Sequence, residues 1–214
     1  MFRDRRDAGR RLAGLLTDYA RMPGLLVLGL PRGGVVVAAE VARALGGELD
    51  VLVVRKLGLP GRPELAIGAV ATGGVTVLNH DVLSLYGVSP ADLKAVAARE
   101  LAELDRRLSA YRSGPQPLVA GRPTIVVDDG LATGSTMRAA CQAVRMQSPA
   151  RLVAAVPVAP AGTADALCGA ADQVVVAHAP ARFRSVGDWY DDFGQTDDDE
   201  VCEVLAARPG APLS

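Results

Sequence analysis

The run Ile125-Val126-Val127-Asp128-Asp129-Gly130-Leu131-Ala132-Thr133-Gly134-Ser135-Thr136-Met137 limits this chain to few architectures. Its three β-branched residues form a short apolar stretch, which suits a strand buried on both faces, as in a parallel sheet. Two carboxylates end the strand. Gly130 to Thr136 then supplies a turn of small and hydroxylated residues. Met137, Ala140, Ala143 and Val144 follow with helical periodicity.

That order has chemical consequences. Small side chains let backbone N–H groups converge on one point, and Ser135 and Thr136 add hydroxyl donors. The first helical turn leaves N–H groups unpaired and carries a partial positive charge. Together these suit a phosphate monoester. Asp128 and Asp129, one loop away, can accept from hydroxyl groups or from a hydrated divalent cation. A phosphate with vicinal hydroxyls a few ångströms off describes a ribose 5-phosphate. An ordinary helix cap requires neither two adjacent acids nor three hydroxyls. No Gly-Lys-Ser/Thr closes the turn, so it is not a Walker loop, and the spacing is not that of a dinucleotide fingerprint.

The stretch resembles the 5-phosphoribosyl 1-pyrophosphate (PRPP) motif of type I phosphoribosyltransferases, in which a hydrophobic strand meets two acids and a loop ending Ala-Thr-Gly-(Gly/Ser)-Thr. The resemblance implies an α/β fold with a central parallel β-sheet flanked by helices. It assigns the 5-phosphate to Ala132, Thr133, Gly134, Ser135 and Thr136. Asp128 and Asp129 become catalytic residues that meet the metal, Mg2+, indirectly through ribose or water. The implied reaction displaces pyrophosphate from PRPP with a nitrogenous, nucleobase-like acceptor. Members acting on 6-oxopurines carry an acid where Ala132 stands, whereas Ala132 matches the adenine-type pattern; the acceptor itself is not readable.

The rest of the chain divides around this motif. Residues 4–21 read as an amphipathic helix bearing Leu12, Leu15, Leu16 and Tyr19. Leu25 to Leu30 is a strand and Val35 to Leu45 a helix. Between them stands Pro31-Arg32-Gly33-Gly34, where glycines permit close backbone approach and Arg32 can fork onto a phosphate. This turn is similar to the family's pyrophosphate loop, which implies pyrophosphate binding by Arg32, Gly33 and Gly34. Asp50 to Val54 is the next strand. Arg55 to Glu64, with two Gly, two Pro and no periodicity, reads as a mobile loop. The family closes such a loop over PRPP, which implies catalytic roles for Arg55 and Lys56; Glu64 is a candidate for proton transfer. Ile67 to Val70 and Val75 to Leu78 suit a hairpin.

Residues 80–113 read as an insertion whose helix opens at Ser89-Pro90, with Leu93, Val96, Leu101, Leu104, Leu108 and Tyr111 on one face. Glu100 and Glu103, near Arg99, Arg106 and Arg107, read as a solvated opposite face without chemistry. Strands at Arg151 to Val158 and Asp172 to Ala177 flank a short helix from Gly162 to Gly169. Repeated strand–helix units imply a parallel sheet, whose ligands sit beyond the carboxyl ends of the strands. Over half of the aromatic residues gather at Tyr111 and in the tail, where Trp189, Tyr190 and Phe193 are candidates for a hood that stacks the acceptor, or form a lid. Thr196 can cap a last helix, with Asp197 to Glu200 at its positive end.

Length suits one domain over 1–214, with a core of about 25–178 and a tail of about 179–214. The net charge of −1 gives no electrostatic reason to bind nucleic acid. Three dispersed cysteines and two histidines fit neither a zinc site nor a disulfide framework and read as buried thiols. The N-terminus lacks a signal-peptide core, and no run is apolar enough to span a membrane, so the chain is expected in the cytoplasm. The first helix and the inserted helix offer surfaces for a homodimer. The alternative function is a regulatory module of the same fold that binds PRPP or a nucleotide without transfer.

Overall fold

The computed structural model describes residues 1–111 and 114–207; the last two positions of the 80–113 insertion and residues 208–214 of the tail lie outside the described residues. Five parallel strands form the central sheet in the order β2 (Glu48–Val51), β1 (Leu26–Gly29), β6 (Pro123–Val127), β7 (Arg151–Val158) and β8 (Gln173–His178). Alternate residues feed two cores. Val27, Ile125, Val127, Val153 and Ala155 face one, and Leu26, Leu28, Val126, Leu152 and Ala154 face the other. Burial on both sides explains why these strands read as unbroken apolar runs.

Helices α1 (Arg5–Ala13), α2 (Gly33–Leu45) and α7 (Asp198–Ala206) cover the first face, and α5 (Ser135–Arg145) covers the second, helped by Leu167 and Ala170 just after the short α6 (Thr163–Ala166). The chain leaves β1 for β2 on one side, then returns to β6 on β1's other side. The strand order therefore reverses between β1 and β6, and the helices that follow them diverge to opposite faces. Such a reversal opens a crevice at the carboxyl ends of the two strands.

A second, antiparallel sheet of β3 (Val54–Leu59), β4 (Arg62–Ala71) and β5 (Val75–Leu78) precedes α3 (His80–Leu85) and α4 (Pro90–Tyr111). The expected hairpin is present. The expected mobile loop at Arg55 to Glu64 is instead mostly strand, turning at Pro60-Gly61. Its period-two signal is obscured by a register irregularity around Gly58, where a Cβ would lie 2.6 Å from the Pro63 carbonyl oxygen.

Other boundaries moved for local reasons. Helix α1 stops at Ala13, not near residue 21, and a 3₁₀ turn spans Thr17–Tyr19. A 3₁₀ turn keeps the i, i+3 spacing, so Leu16 and Tyr19 are still buried, while Leu15 is exposed. Asp197, not Thr196, caps α7, its Oδ1 accepting from the Glu200 N–H at 2.8 Å. Of the cysteines, which are all free, Cys141 is buried but Cys168 is exposed. No helix among the described residues is long and apolar enough to cross a membrane.

Candidate active site

Strand β1 ends in Pro31-Arg32-Gly33-Gly34 and its neighbour β6 ends in Asp128-Asp129, so the two loops meet in the crevice. The Leu30 N–H donates to the Val127 carbonyl at 2.9 Å and carries the pairing one step past the strands. The Pro31–Arg32 peptide is cis. The contact beyond it needs glycine: a Cβ on Gly33 would lie 2.1 Å from Asp129 Oδ2, and one on Gly34 would lie 2.9 Å from Asp128 Cα.

The turn after the acids is anchored at its base and open at its face. The Leu131 N–H donates to the Val158 carbonyl at 2.9 Å, and Gly134 (φ +70°) turns the chain into α5. Ala132, Thr133, Ser135 and Thr136 are exposed. The Thr133 and Ser135 hydroxyls lie 3.1 Å apart, and Lys56 Nζ donates to Ser135 Oγ at 2.6 Å. Thus hydroxyls, an ammonium and the first N–H groups of α5 gather at one point, as an oxyanion requires.

Arg55 and Lys56 do not act as a pair. Adjacent residues on a strand point to opposite faces. Lys56 stands on one rung with Ala69 and Val77, towards α5. Arg55 turns to α4, where its Nη2 binds Glu100 Oε2 at 2.7 Å. Glu100 is buried and also holds Arg99, which corrects the expectation of a solvated carboxylate. Arg55 therefore lies neither at a parallel-strand end nor free to close over a ligand. Arg55→Ala is expected to destabilise the fold by about 1–3 kcal/mol, because it removes one partner of a buried carboxylate. Lys56→Ala, at an exposed side chain, should change stability by less than about 0.5 kcal/mol. Thermal unfolding of the two variants checks this, and equal losses would refute the division of roles.

Sequence reasoning missed Arg5. Its Nε donates to Asp129 Oδ2 at 2.8 Å, its Nη1 to the Gly194 carbonyl at 2.6 Å, and its guanidinium lies 4.0 Å from the centre of the Phe193 ring. A signal was present: Arg5, Ala8, Gly9 and Leu12 share one face of α1, so a charge stood on the apolar stripe. Glu100, four residues from both Val96 and Leu104, broke the stripe of α4 in the same way.

The tail aromatics form a wall more than a platform. Tyr190, expected to meet the acceptor, is 5% exposed, packs on Phe2 and donates its hydroxyl to the Asp129 carbonyl. Trp189 meets the His178 ring in a tilted contact, 4.6 Å between centroids, and, like Phe193, is half-buried. Arg32, Gly33, Phe193 and Gln195, with Arg5 and Thr196, line a cavity of about 310 Å³ beside the acid pair. Glu64 lies at another cleft, together with Lys56, Thr133 and Ser135.

The acids are electrostatically tense. Burial, and then the neighbouring Asp129 carboxylate, push the Asp128 carboxyl well above the usual range. Burial also raises Asp129, against the pull of its bond to Arg5. A raised carboxyl binds its proton more tightly folded than unfolded. Its contribution is therefore favourable at low pH and is lost as pH rises from the unfolded value near 3.8 through the folded one. Asp128→Asn is expected to raise Tm by a few degrees at pH 7.5, with the gain shrinking toward pH 4, in melting curves of the ligand-free protein. A gain independent of pH would contradict it. Asparagine keeps an oxygen for the Asp129 N–H, which now donates to Asp128 Oδ1 at 2.9 Å.

No cluster of three metal-ligating side chains exists among the described residues. The two acids alone suit a divalent cation that draws most of its ligands from substrate oxygens and water, as Mg2+ does.

The chain is similar to known proteins along most of its length. The sequence model of the family described as phosphoribosyl transferase domain matches residues 6–174. A Mycobacterium tuberculosis protein (strain H37Rv) named "Putative phosphoribosyl transferase" is 48% identical over 206 residues, covering 96% of this chain and 46% of its own length; its counterpart in strain CDC 1551 matches equally. The chain thus spans about half the length of these curated relatives. The crystal structure of TT1426 from Thermus thermophilus is 46% identical, with a TM-score of 0.86, covering 95% of this chain and 97% of that one. With a matching model over most of its length, and relatives near half identity along nearly all of it, the chain belongs to the phosphoribosyl transferase family.

Proposed function

We propose that the crevice binds PRPP and transfers its phosphoribosyl group to a nitrogenous acceptor with release of pyrophosphate. One observation carries the reading. The Pro31–Gly34 loop, the acid pair and the hydroxylated turn meet at the ends of adjacent strands, with glycine contacts that admit no side chain.

In this reading the 5-phosphate sits against Thr133, Ser135, Thr136 and the first N–H groups of α5. Asp128 and Asp129 accept from the ribose hydroxyls and orient the sugar. Arg32 and the glycine N–H groups of its loop receive the pyrophosphate on the side of the 310 Å³ cavity. Lys56, within reach of Ser135, adds charge. The transferred sugar passes through a cationic, oxocarbenium-like state, so the chain needs to position two reactants and neutralise a leaving group, not to attack covalently. Asp128 and Asp129 would stand beside a bound Mg2+, which would add to the neutralisation of the leaving group. Each hydrogen bond to a charged group contributes about 1.5–3 kcal/mol, so two or three that strengthen on the way to the transition state supply a few powers of ten in rate.

The second reading, a binding module without transfer, is favoured by Arg5 on Asp129 and by Arg55 on Glu100, which leave fewer free groups for chemistry. A pyrophosphate-release assay over a panel of nitrogenous bases, run beside PRPP calorimetry, separates them. Turnover with any base supports the transferase. Tight PRPP binding with no turnover across the panel supports the module.

A further inference from the structure

The hydroxylated turn is not closed behind. Thr133 and Ser135 also line a second cleft, of about 730 Å³, between α5 and the β3–β4–β5 sheet. Its α5 wall is made by Ser135, Arg138, Ala139 and Gln142, which share one helix face. Seven residues at 1.5 Å rise give the cleft a run of about 10 Å from the turn.

Its lining carries both signs of charge, Lys56 and Arg138 against Glu64 and Asp81. Lys56 stands at the turn and Arg138 one helical turn further on. Arg138 makes no ion pair with any described residue, so its guanidinium is available to a ligand. Asn79, His80, Asp81 and Glu64 also line the cleft, a set of donors and acceptors that suits neutral polar groups better than a further bare anion. On the sheet side, Ala66, Gly68 and Ala69 of β4 give the cleft a low, apolar floor on which a flat group can lie. A monoester would end at the turn and leave this space to water.

We infer that the cleft extends the 5-phosphate subsite, and that the protein takes ribose 5-phosphates whose phosphate is itself esterified: the nucleoside diphosphate ribose class. This inference rests on the sugar-phosphate reading of the turn. The first phosphate occupies the turn, the second lies between Lys56 and Arg138, and the nucleoside lies over the small-residue floor.

The test is calorimetry with ribose 5-phosphate and with ADP-ribose as probes, on the full chain and three variants. ADP-ribose is expected to bind at least tenfold more tightly than ribose 5-phosphate. Arg138→Ala is expected to remove most of that advantage, and Gln142→Trp, which narrows the far end, to reduce it. Both positions are exposed, and both variants should leave ribose 5-phosphate affinity within twofold of wild type. Thr133→Val should weaken both probes. If ribose 5-phosphate binds and depends on Thr133, but ADP-ribose gains nothing or ignores both cleft variants, the extended subsite is wrong and the turn assignment stands. If neither probe binds, or Thr133→Val changes neither, both readings fall together.

Discussion

Alanine at position 34 is expected to destabilise the fold by about 1–3 kcal/mol, the usual range for an overpacked site, and to remove measurable PRPP binding with it. The Cβ would stand 2.9 Å from the Val127 carbonyl oxygen, from Asp128 Cα and from Asp128 Oδ1. Two of those atoms are backbone at the end of β6, held by pairing to β1 and β7, and cannot rotate away. The loop after β1 must then lift, and the acids lose the wall that defines their position. Gly33→Ala makes a useful contrast. Its clashes, 2.1 Å to Asp129 Oδ2 and 2.4 Å to Arg5 Nε, are with side-chain ends. It should cost less stability while still separating Arg5 from Asp129. Melting curves with PRPP calorimetry on both variants check the pair. A Gly34→Ala protein that binds PRPP within threefold of wild type would mean that the two loops do not form one site.

Asp129→Asn should weaken PRPP binding by roughly two powers of ten. A charged acceptor that meets a hydroxyl is worth about 1.5–3 kcal/mol, and each 1.4 kcal/mol is tenfold. The geometry adds to the loss. Arg5 Nε–H already points at Oδ2 from 2.8 Å. Asparagine turns its oxygen to Arg5 and its NH2 to the sugar, which then faces a donor where it needs an acceptor. Thr133→Val, which removes one hydroxyl at constant shape, should cost about tenfold by the same scale for a single bond. Unchanged affinity in either variant by calorimetry would sink the assignment of the site. The Asp128→Asn experiment gives an internal control, because that variant should gain stability at neutral pH while losing affinity. Such a result would set function at this crevice against stability, a trade seen where an active site is held in a destabilised arrangement.

Some of this was legible in the chain because the signals are local. A β-branched run, two acids, a small-residue turn and a helix occupy thirteen consecutive positions, Ile125 to Met137, and the structure keeps that order without a break. Strand β7 falls at the expected residues, Arg151–Val158, because its apolar run is bounded by Arg and by Pro-containing sequence. The parallel sheet followed from the alternation of strand and helix alone.

What escaped was decided by partners distant in the chain. Nothing near Arg55 says that it and Lys56 part to opposite faces; that follows only once β3 pairs with β4 in a given register. Arg5 and Asp129 are 124 residues apart, and their bond exists because α1 packs beside α2 at the open end of the sheet. Tyr190 reads as a platform until Phe2 and the Asp129 carbonyl claim its ring and hydroxyl. Residue types and their spacing, which act over one or two turns of chain, determined that two acids and a hydroxylated turn stand together at the head of a helix. Which cations stand free beside them was left to tertiary packing, because each buried charge must find a counter-charge wherever the fold happens to bring one.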